Sequence, residues 1–262
     1  MYKLFSFVML TVALGSCGTP QQKTSAREEN REAKSLLQGI WLDDNTEAAV
    51  LKVDGDTIYY ADAATAPVAF KVIDDSLVTY GAQTNAYKIE KQGEYIFWVH
   101  SAVGDVIRLH KADDDSDSLT FIHNQEVPIY NEVIKKDSVV TYDNVRYRGY
   151  VYINPSKIKV MRPGVSEEGL GVDNVYYDNI IHICVYEGKK SLYAKDINKQ
   201  MFKGTVPEDF LQWAILSDMD FCGVDAKGYH YQATICIPDG ASCYMVNITA
   251  GKDGSLAYEL AK

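Results

Sequence analysis

The sequence predicts a mainly β protein: an antiparallel meander that closes into a small barrel or curled sheet, then a second antiparallel β-rich half with one covering helix. Three observations carry this. Turn signals recur roughly every 8–12 residues from residue 36 onward, the spacing of short strands in antiparallel sheets. Tyrosine is abundant, with 19 in 262 residues, and aromatic residues favour pleated, half-buried surfaces. One stretch alone, 205–216, combines helical spacing of apolar residues with a helix start signal.

The N-terminal elements come first. Residues 1–16, MYKLFSFVMLTVALGS, place Lys3 before an apolar run and small residues, the layout of a secretory signal. The run is shorter than the ~20 residues a membrane-spanning helix needs. Leu14-Gly15-Ser16-Cys17 resembles the bacterial lipobox, and that resemblance implies that Cys17 carries a diacylglyceryl group (and further acyl chains such as palmitate) as the new N-terminus. Residues 17–35 contain few residues able to form a core and read as a lipidated tether. Ser25 and Glu28 have capping-box spacing, so the later part is expected to form a short helix. Gly18, rather than aspartate, follows the cysteine, which within the resemblance points to the outer membrane; the lack of an acidic cluster right behind the cysteine points to the periplasmic face.

Composition narrows the function. A formal net charge of -10 argues against a nucleic-acid partner, which needs a basic face, and against electrostatic docking on anionic lipid. The 47% hydrophobic content is that of a chain with a packed core.

The meander is expected over 36–125. Its runs are AAVLKV, TIYYAD, VAFKVI, SLVTYG, AYKIEK, EYIFWVH, DVIRLHK and SLTFIHN, with turn pairs such as Asp54-Gly55 and Gly104-Asp105 among them. Residues that tolerate positive φ between alternating runs make hairpins. LLQGIWL opens the meander, and its Gly39 and Trp41 resemble the start of lipocalin-like domains. That likeness implies a tryptophan plugging one end of a barrel.

The second half is expected over 138–262. SVVTYDNVRYRGYVYINP reads as a long tyrosine-rich strand region, and KIKVMRPGVSEEGLGVDN as a loop, because it carries glycines and proline without periodicity. IIHICVYEG and KSLYAKDI read as strands. TVPEDFLQWAIL reads as the helix, with Thr205 and Glu208 as a capping box and Phe210, Leu211, Ala214 and Ile215 on one face. Strands SDMDFCGVD, YHYQATICI, SCYMVNITAG and SLAYELA close the chain. The stretches GDTIYYAD, YRGYVYI, VPEDFLQWAILSDMDF and GYHYQATICIPDGASCY are similar to uncharacterised lipoproteins of Bacteroidetes that carry a domain of unknown function, a family that offers no activity to transfer.

In TICIPDGASCYMV, pairing of Ile237 with Ser242 puts Cys236 opposite Cys243, close enough for a disulfide. Cys184 and Cys222 have no assigned partner. The acidic run ADDDSDS lacks the glycine and glutamate of a calcium loop. His100, His110 and His123 would form a zinc site only if strand registers brought them together. No nucleophile elbow and no phosphate loop is present, so no catalytic residue, metal or cofactor is expected. The strongest binding candidate is Arg146, Tyr147, Arg148, Tyr150 and Tyr152, since rings and guanidiniums suit a peptide, a glycan or a protein surface. The expected function is a membrane-anchored envelope lipoprotein, a non-catalytic binding or accessory protein whose partners are the membrane and an unknown envelope protein, peptide or glycan. The alternative is a small-ligand carrier or hydrolase with its site in the N-terminal barrel.

Overall fold

The computed structural model describes residues 28–113, 116–122 and 132–261. Cys17 and His123 lie outside the described residues. The N-terminal half is a closed eight-stranded antiparallel barrel in sequential order: β1 (Gly39–Asp43), β2 (Ala49–Asp54), β3 (Thr57–Tyr60), β4 (Val68–Ile73), β5 (Ser76–Tyr80), β6 (Thr84–Gln92), β7 (Ile96–His100) and β8 (Val106–Lys111). Closure comes from β1 pairing with β8, Trp41 opposite Lys111 and Asp43 opposite Leu109. No edge strand is left exposed, which removes a route to aggregation. β4 shows why the chain folds so: Val68, Phe70 and Val72 point inward and are buried, Ala69 and Lys71 outward and are exposed, the period of two that a half-buried strand requires.

Seven of the eight expected runs are strands of this barrel, and the Trp41 segment supplies the first. The eighth run, SLTFIHN, is not a strand. Residues Ser116–Ser118 form a 3-10 turn and Leu119–Ile122 a short helix, α2. Phe121 packs from outside on Ile40 and Leu42, so one aromatic covers the apolar outer side of β1.

The barrel interior is solid. Trp41, Leu51, Ile58, Phe70, Phe97 and Leu109 are each no more than 2% exposed. Trp41 meets Phe97 edge-on with centroids 5.6 Å apart and donates its indole N–H to the Leu37 carbonyl at 2.7 Å. One mouth is closed by a helix, α1 (Arg31–Leu36), capped by Asn30, whose side chain accepts from the Ala33 N–H at 3.0 Å. Asn30 caps this helix, and Ser25 lies outside the described residues. Lys34 is the pin of this mouth. Its ammonium lies 2.8 Å from Glu29, 2.6 Å from Asp56 and 3.2 Å from the Phe70 carbonyl. Burial pulls Lys34 downward, but the hydrogen bonds to Asp56 and Glu29 outweigh it and hold the group above its ordinary value.

The C-terminal half is a sandwich of two four-stranded antiparallel sheets. The first holds β9 (Ile134–Tyr142), β10 (Val145–Val165), β11 (Gly171–Glu187) and β12 (Lys190–Ile197). The second holds β13 (Ile215–Val224), β14 (Tyr229–Cys236), β15 (Cys243–Ala250) and β16 (Leu256–Leu260). Ile181, Ile183 and Val185 of one sheet share a core with Leu216, Ala233, Ile235 and Ile248 of the other. Gly149 makes the fit possible: a Cβ there would stand 2.3 Å from the Phe221 ring.

Two expectations are corrected here. The helix over 205–216 is reduced to one turn, α3 (Glu208–Leu211), with Pro207 at its N-cap and no side-chain cap from Thr205. Pairing of Ile215 with Cys236 and Leu216 with Ile235, together with the Asp178 carboxylate accepting the Leu216 N–H at 2.8 Å, draws the last residues into β13. Tertiary pairing overrides the local helical pattern. The expected loop over 157–174 is mostly strand. β10 and β11 pair from Lys159–Tyr177 to Val165–Gly171, beyond a bulge after Pro155. β9 covers β10 only as far as Ile153, so beyond it β10 is an edge, where Pro163 needs no ladder donor.

This projecting hairpin, the arm, closes the other mouth of the barrel. Leu170 and Val172 are 3% and 6% exposed and belong to the barrel core. The Gly171 N–H donates to the Tyr87 hydroxyl at 2.7 Å, and the Tyr60 hydroxyl donates to the Gly171 carbonyl at 3.4 Å. Ala66 N–H donates to Asp173 O and Val175 N–H to Ala64 O, both at 2.8 Å, an antiparallel bridge between arm and barrel. A space of about 10 Å³ remains under the tip beside Val68, Thr79 and Val172, room for at most one water.

Because the tip completes a core rather than decorating it, Leu170→Ala is expected to lower stability by about 2–5 kcal/mol, the range for emptying a packed leucine site. In a Trp213→Phe background, where Trp41 and Trp98 report the barrel alone, tryptophan fluorescence and whole-chain circular dichroism should shift together in urea. A loss confined to the sandwich signal would contradict the shared core.

Candidate functional site

The outer face of the β9–β12 sheet collects the aromatic and cationic candidates. Side chains on β10 alternate: Arg146, Arg148, Tyr150 and Tyr152 point outward, Tyr147, Gly149, Val151 and Ile153 inward. Four of the five predicted residues therefore share one face. Tyr147 does not; its ring packs inside, 6.5 Å from Tyr229. The turn Asp143-Asn144, with φ of 49° and 59°, folds β9 back on β10 and splits what reads as a single strand region. Two adjacent residues at positive φ are the signature of a type I′ hairpin.

Register brings neighbours that the sequence did not single out. Tyr152 stands between Lys135 on β9 and His182 on β11; Tyr150 stands between Asp137 and Cys184; Arg148 stands opposite Tyr186. Tyr150 and Tyr152 are nearly parallel, 23° apart with centroids 6.1 Å apart. Tyr186 meets Tyr150 edge-on at 5.9 Å. The Lys135 ammonium lies 5.4 Å from the Tyr150 ring and 5.3 Å from Tyr152, and the Arg148 guanidinium 5.1 Å from Tyr150. Each cation sits where the ring quadrupole attracts it. Arg148 is further fixed by Asp137, whose one carboxylate oxygen accepts Nε–H at 2.8 Å and an Nη2 N–H at 2.6 Å. His182 faces Asp196 at 2.6 Å. The pairs were legible in principle, since residues i and j summing to 287 across the Asp143-Asn144 turn face each other; the turn had first to be placed.

Cys184 and His182 share this outer face, as their spacing predicts. Cys184 is only 4% exposed, beneath the rings, and burial pushes its thiol up. Cys222 on β13 is free and exposed. Cys236 and Cys243 are directly opposed on β14 and β15 and are disulfide-bonded. The loop they close grips the arm: the Pro238 carbonyl accepts from Arg162 at 2.5 Å, and the Asp239 carboxylate accepts from the Tyr176 hydroxyl at 2.6 Å.

Each described histidine faces carboxylates of its own. His100 lies 3.1 Å from Glu90, His230 2.8 Å from Asp225, and His110 2.9 Å from Asp44 and 3.2 Å from Glu47. His100 and His110 pair with Val106 and Ile96 at opposite ends of β7. Among the described residues no His, Cys, Asp and Glu group is placed to hold a metal ion, and no helix is long and apolar enough to cross a membrane. In the remaining clefts, Lys199 at the root of the arm is buried and pulled down by desolvation, its amine donating to the Ala214 carbonyl and pairing with Asp178 at 3.5 Å.

Barrel, arm and sandwich together define a two-part, mainly β protein whose arm completes the barrel core. The chain belongs to the family described as Domain of unknown function (DUF4738), whose model matches residues 114–258. That span takes in α2, the sandwich and the arm, and leaves the barrel strands outside it. No curated protein matches the chain.

Two measurements follow. In the native protein a maleimide should label Cys222 promptly and Cys184 only on unfolding; equal rates would show that the rings do not cover Cys184. The hydrogen bond to Asp44 raises His110 above its ordinary value of 6.5, with Glu47 adding to the effect. A raised folded value means the stabilisation is complete below that ordinary value and disappears as pH climbs through the raised one. His110→Gln should therefore cost more stability at pH 6 than at pH 8.5 in denaturant titrations.

Proposed function

We propose that the protein is a lipid-anchored envelope lipoprotein, tied through Cys17 to the outer membrane and facing the periplasm, and that it acts as a non-catalytic binding or accessory protein. The observation that carries the binding role is the outer face of the β9–β12 sheet. It offers three half-exposed tyrosines, Tyr150, Tyr152 and Tyr186, the first two with cations pinned upon them, and Tyr and Arg are enriched where proteins meet partners. The anchoring rests on the Leu14-Gly15-Ser16-Cys17 lipobox and on the likeness to Bacteroidetes lipoproteins. The alternative, a ligand site inside the barrel, finds less support, because Trp41 and its neighbours fill the interior and α1 and the arm close both mouths.

Mass spectrometry of the native protein should find an acylated N-terminal Cys17, and Cys17→Ser should leave the membrane fraction. An unmodified native chain beginning at Met1 would sink the anchoring. A photo-crosslinking residue at position 152 should capture a partner in intact envelopes, whereas one at position 245, on the outer side of the second sheet, should not. Equal capture from both positions would sink the binding face.

A further inference from the structure

The chemistry left open on this face identifies its ligand class. The inference rests on the binding role given above and deepens it. Tyr150 is flanked by Lys135 and Arg148, and Tyr152 by Lys135 and by His182 at 6.1 Å. The protein's own cations thus occupy the π surfaces, so little ring face remains on which a nucleobase could stack. What points outward are cation heads and phenol hydroxyls, together with two carboxylates already engaged, Asp137 on Arg148 and Asp196 on His182. The hydroxyls of Tyr150 and Tyr152 have no hydrogen-bond partner among the described residues. Arg148 spends two of its five N–H donors on Asp137. No described carboxylate forms an ion pair with Lys135 or Arg146, although the chain as a whole carries -10. These cations form a local positive strip on an acidic protein.

The strip is longer than any small anion can span. Lys135 stands opposite Tyr152, and from there to Arg146 is six residues of β10, about 20 Å at the rise of an extended strand. The strip runs along the outer face of β10. A chain molecule with repeated carboxylates spans it, and one that also carries hydroxyls pairs with the phenols. We propose that the outer face of the β9–β12 sheet binds an acidic polysaccharide, with Lys135, Arg148 and Arg146 receiving carboxylates along the strip and the Tyr150 and Tyr152 hydroxyls bonding to sugar hydroxyls between them.

The test uses the full mature chain at physiological salt with three probes matched in charge: polygalacturonate, poly-L-glutamate and an oligo-dT strand. Polygalacturonate should bind about tenfold more tightly than the other two, a difference of about 1.4 kcal/mol. Lys135→Glu should weaken it about tenfold or more. The double variant Tyr150→Phe, Tyr152→Phe keeps the rings and removes the hydroxyls, so it should weaken polygalacturonate and leave poly-L-glutamate unchanged. Far-UV circular dichroism confirms that each variant is folded. Equal binding of poly-L-glutamate would reduce the face to unselective charge and overturn the proposal; tighter oligo-dT binding would replace the class with single-stranded nucleic acid; no binding of polygalacturonate would overturn it outright. Capture of an envelope protein from position 152 alongside failed polygalacturonate binding would overturn this inference while leaving the general binding role in place.

Discussion

The structure depends on the insertion of the arm tip into the barrel. Leu170 and Val172 bury their side chains among barrel residues, each contributing about 1.5–3 kcal/mol relative to exposure. The Gly171 peptide between them is a polar group carried into an apolar mouth. It is tolerable there because Tyr87 and Tyr60 bond its two ends. An unpaired peptide in that position would cost about 1–3 kcal/mol, so the two tyrosines are as necessary as the two aliphatic residues. Asp173 extends the grip by accepting the Ala82 N–H at 2.6 Å. The result is one-sided: the barrel core is completed by Leu170 and Val172 from the other half, while the sandwich keeps a core of its own and only the arm tip depends on the barrel for cover.

From this joint the rest of the architecture takes its direction. α1 and Lys34 sit at one mouth and the arm at the other, so the N-terminal approach and the sandwich lie at opposite ends of the barrel. On the proposed anchoring, the barrel is a rigid spacer that holds the β9–β12 face away from the lipid. The disulfide fits the same logic. By closing the 237–242 loop it fixes Pro238 and Asp239, which hold Arg162 and Tyr176 on the arm. The arm is thus clamped at its root by one sheet of the sandwich and at its tip by the barrel.

The barrel was legible in the sequence because each of its strands buries one face, and alternation survives in runs such as Val68–Val72. The arm was illegible for the opposite reason. Its faces are covered piecewise, Val172 by the barrel and Tyr176 by the Asp239 loop, so no period of two emerges. Pro163 and Gly164 read as breakers although an edge strand accommodates them. The 205–216 stretch failed differently: Phe210, Leu211 and Ala214 do pack on the core at helical spacing, yet Ile215 and Leu216 have strand partners on β14 that no local pattern reveals. At the candidate site, β10 alone showed its rings and arginines. Lys135, His182 and Tyr186 come from other strands, and only the Asp143-Asn144 turn and the β11 register assign them to the same face.

Tyr147 shows how far a face can be argued from alternation alone. It lies between Arg146 and Arg148 and has the same composition signal as Tyr150, yet parity sends it inward against Tyr229. Parity also explains Cys184. It falls on the outer face, where a cysteine would ordinarily be reactive, but its cross-strand neighbour is Tyr150 and Tyr186 follows two residues later, and together they cover it. The same rings that shelter the thiol hold Lys135 and Arg148 in fixed positions. A cation held upright on an aromatic ring loses little further side-chain freedom when a carboxylate arrives; Lys91 and Arg108 over Trp98 are held in the same way on the barrel, but this strip adds the tyrosine hydroxyls between its cations.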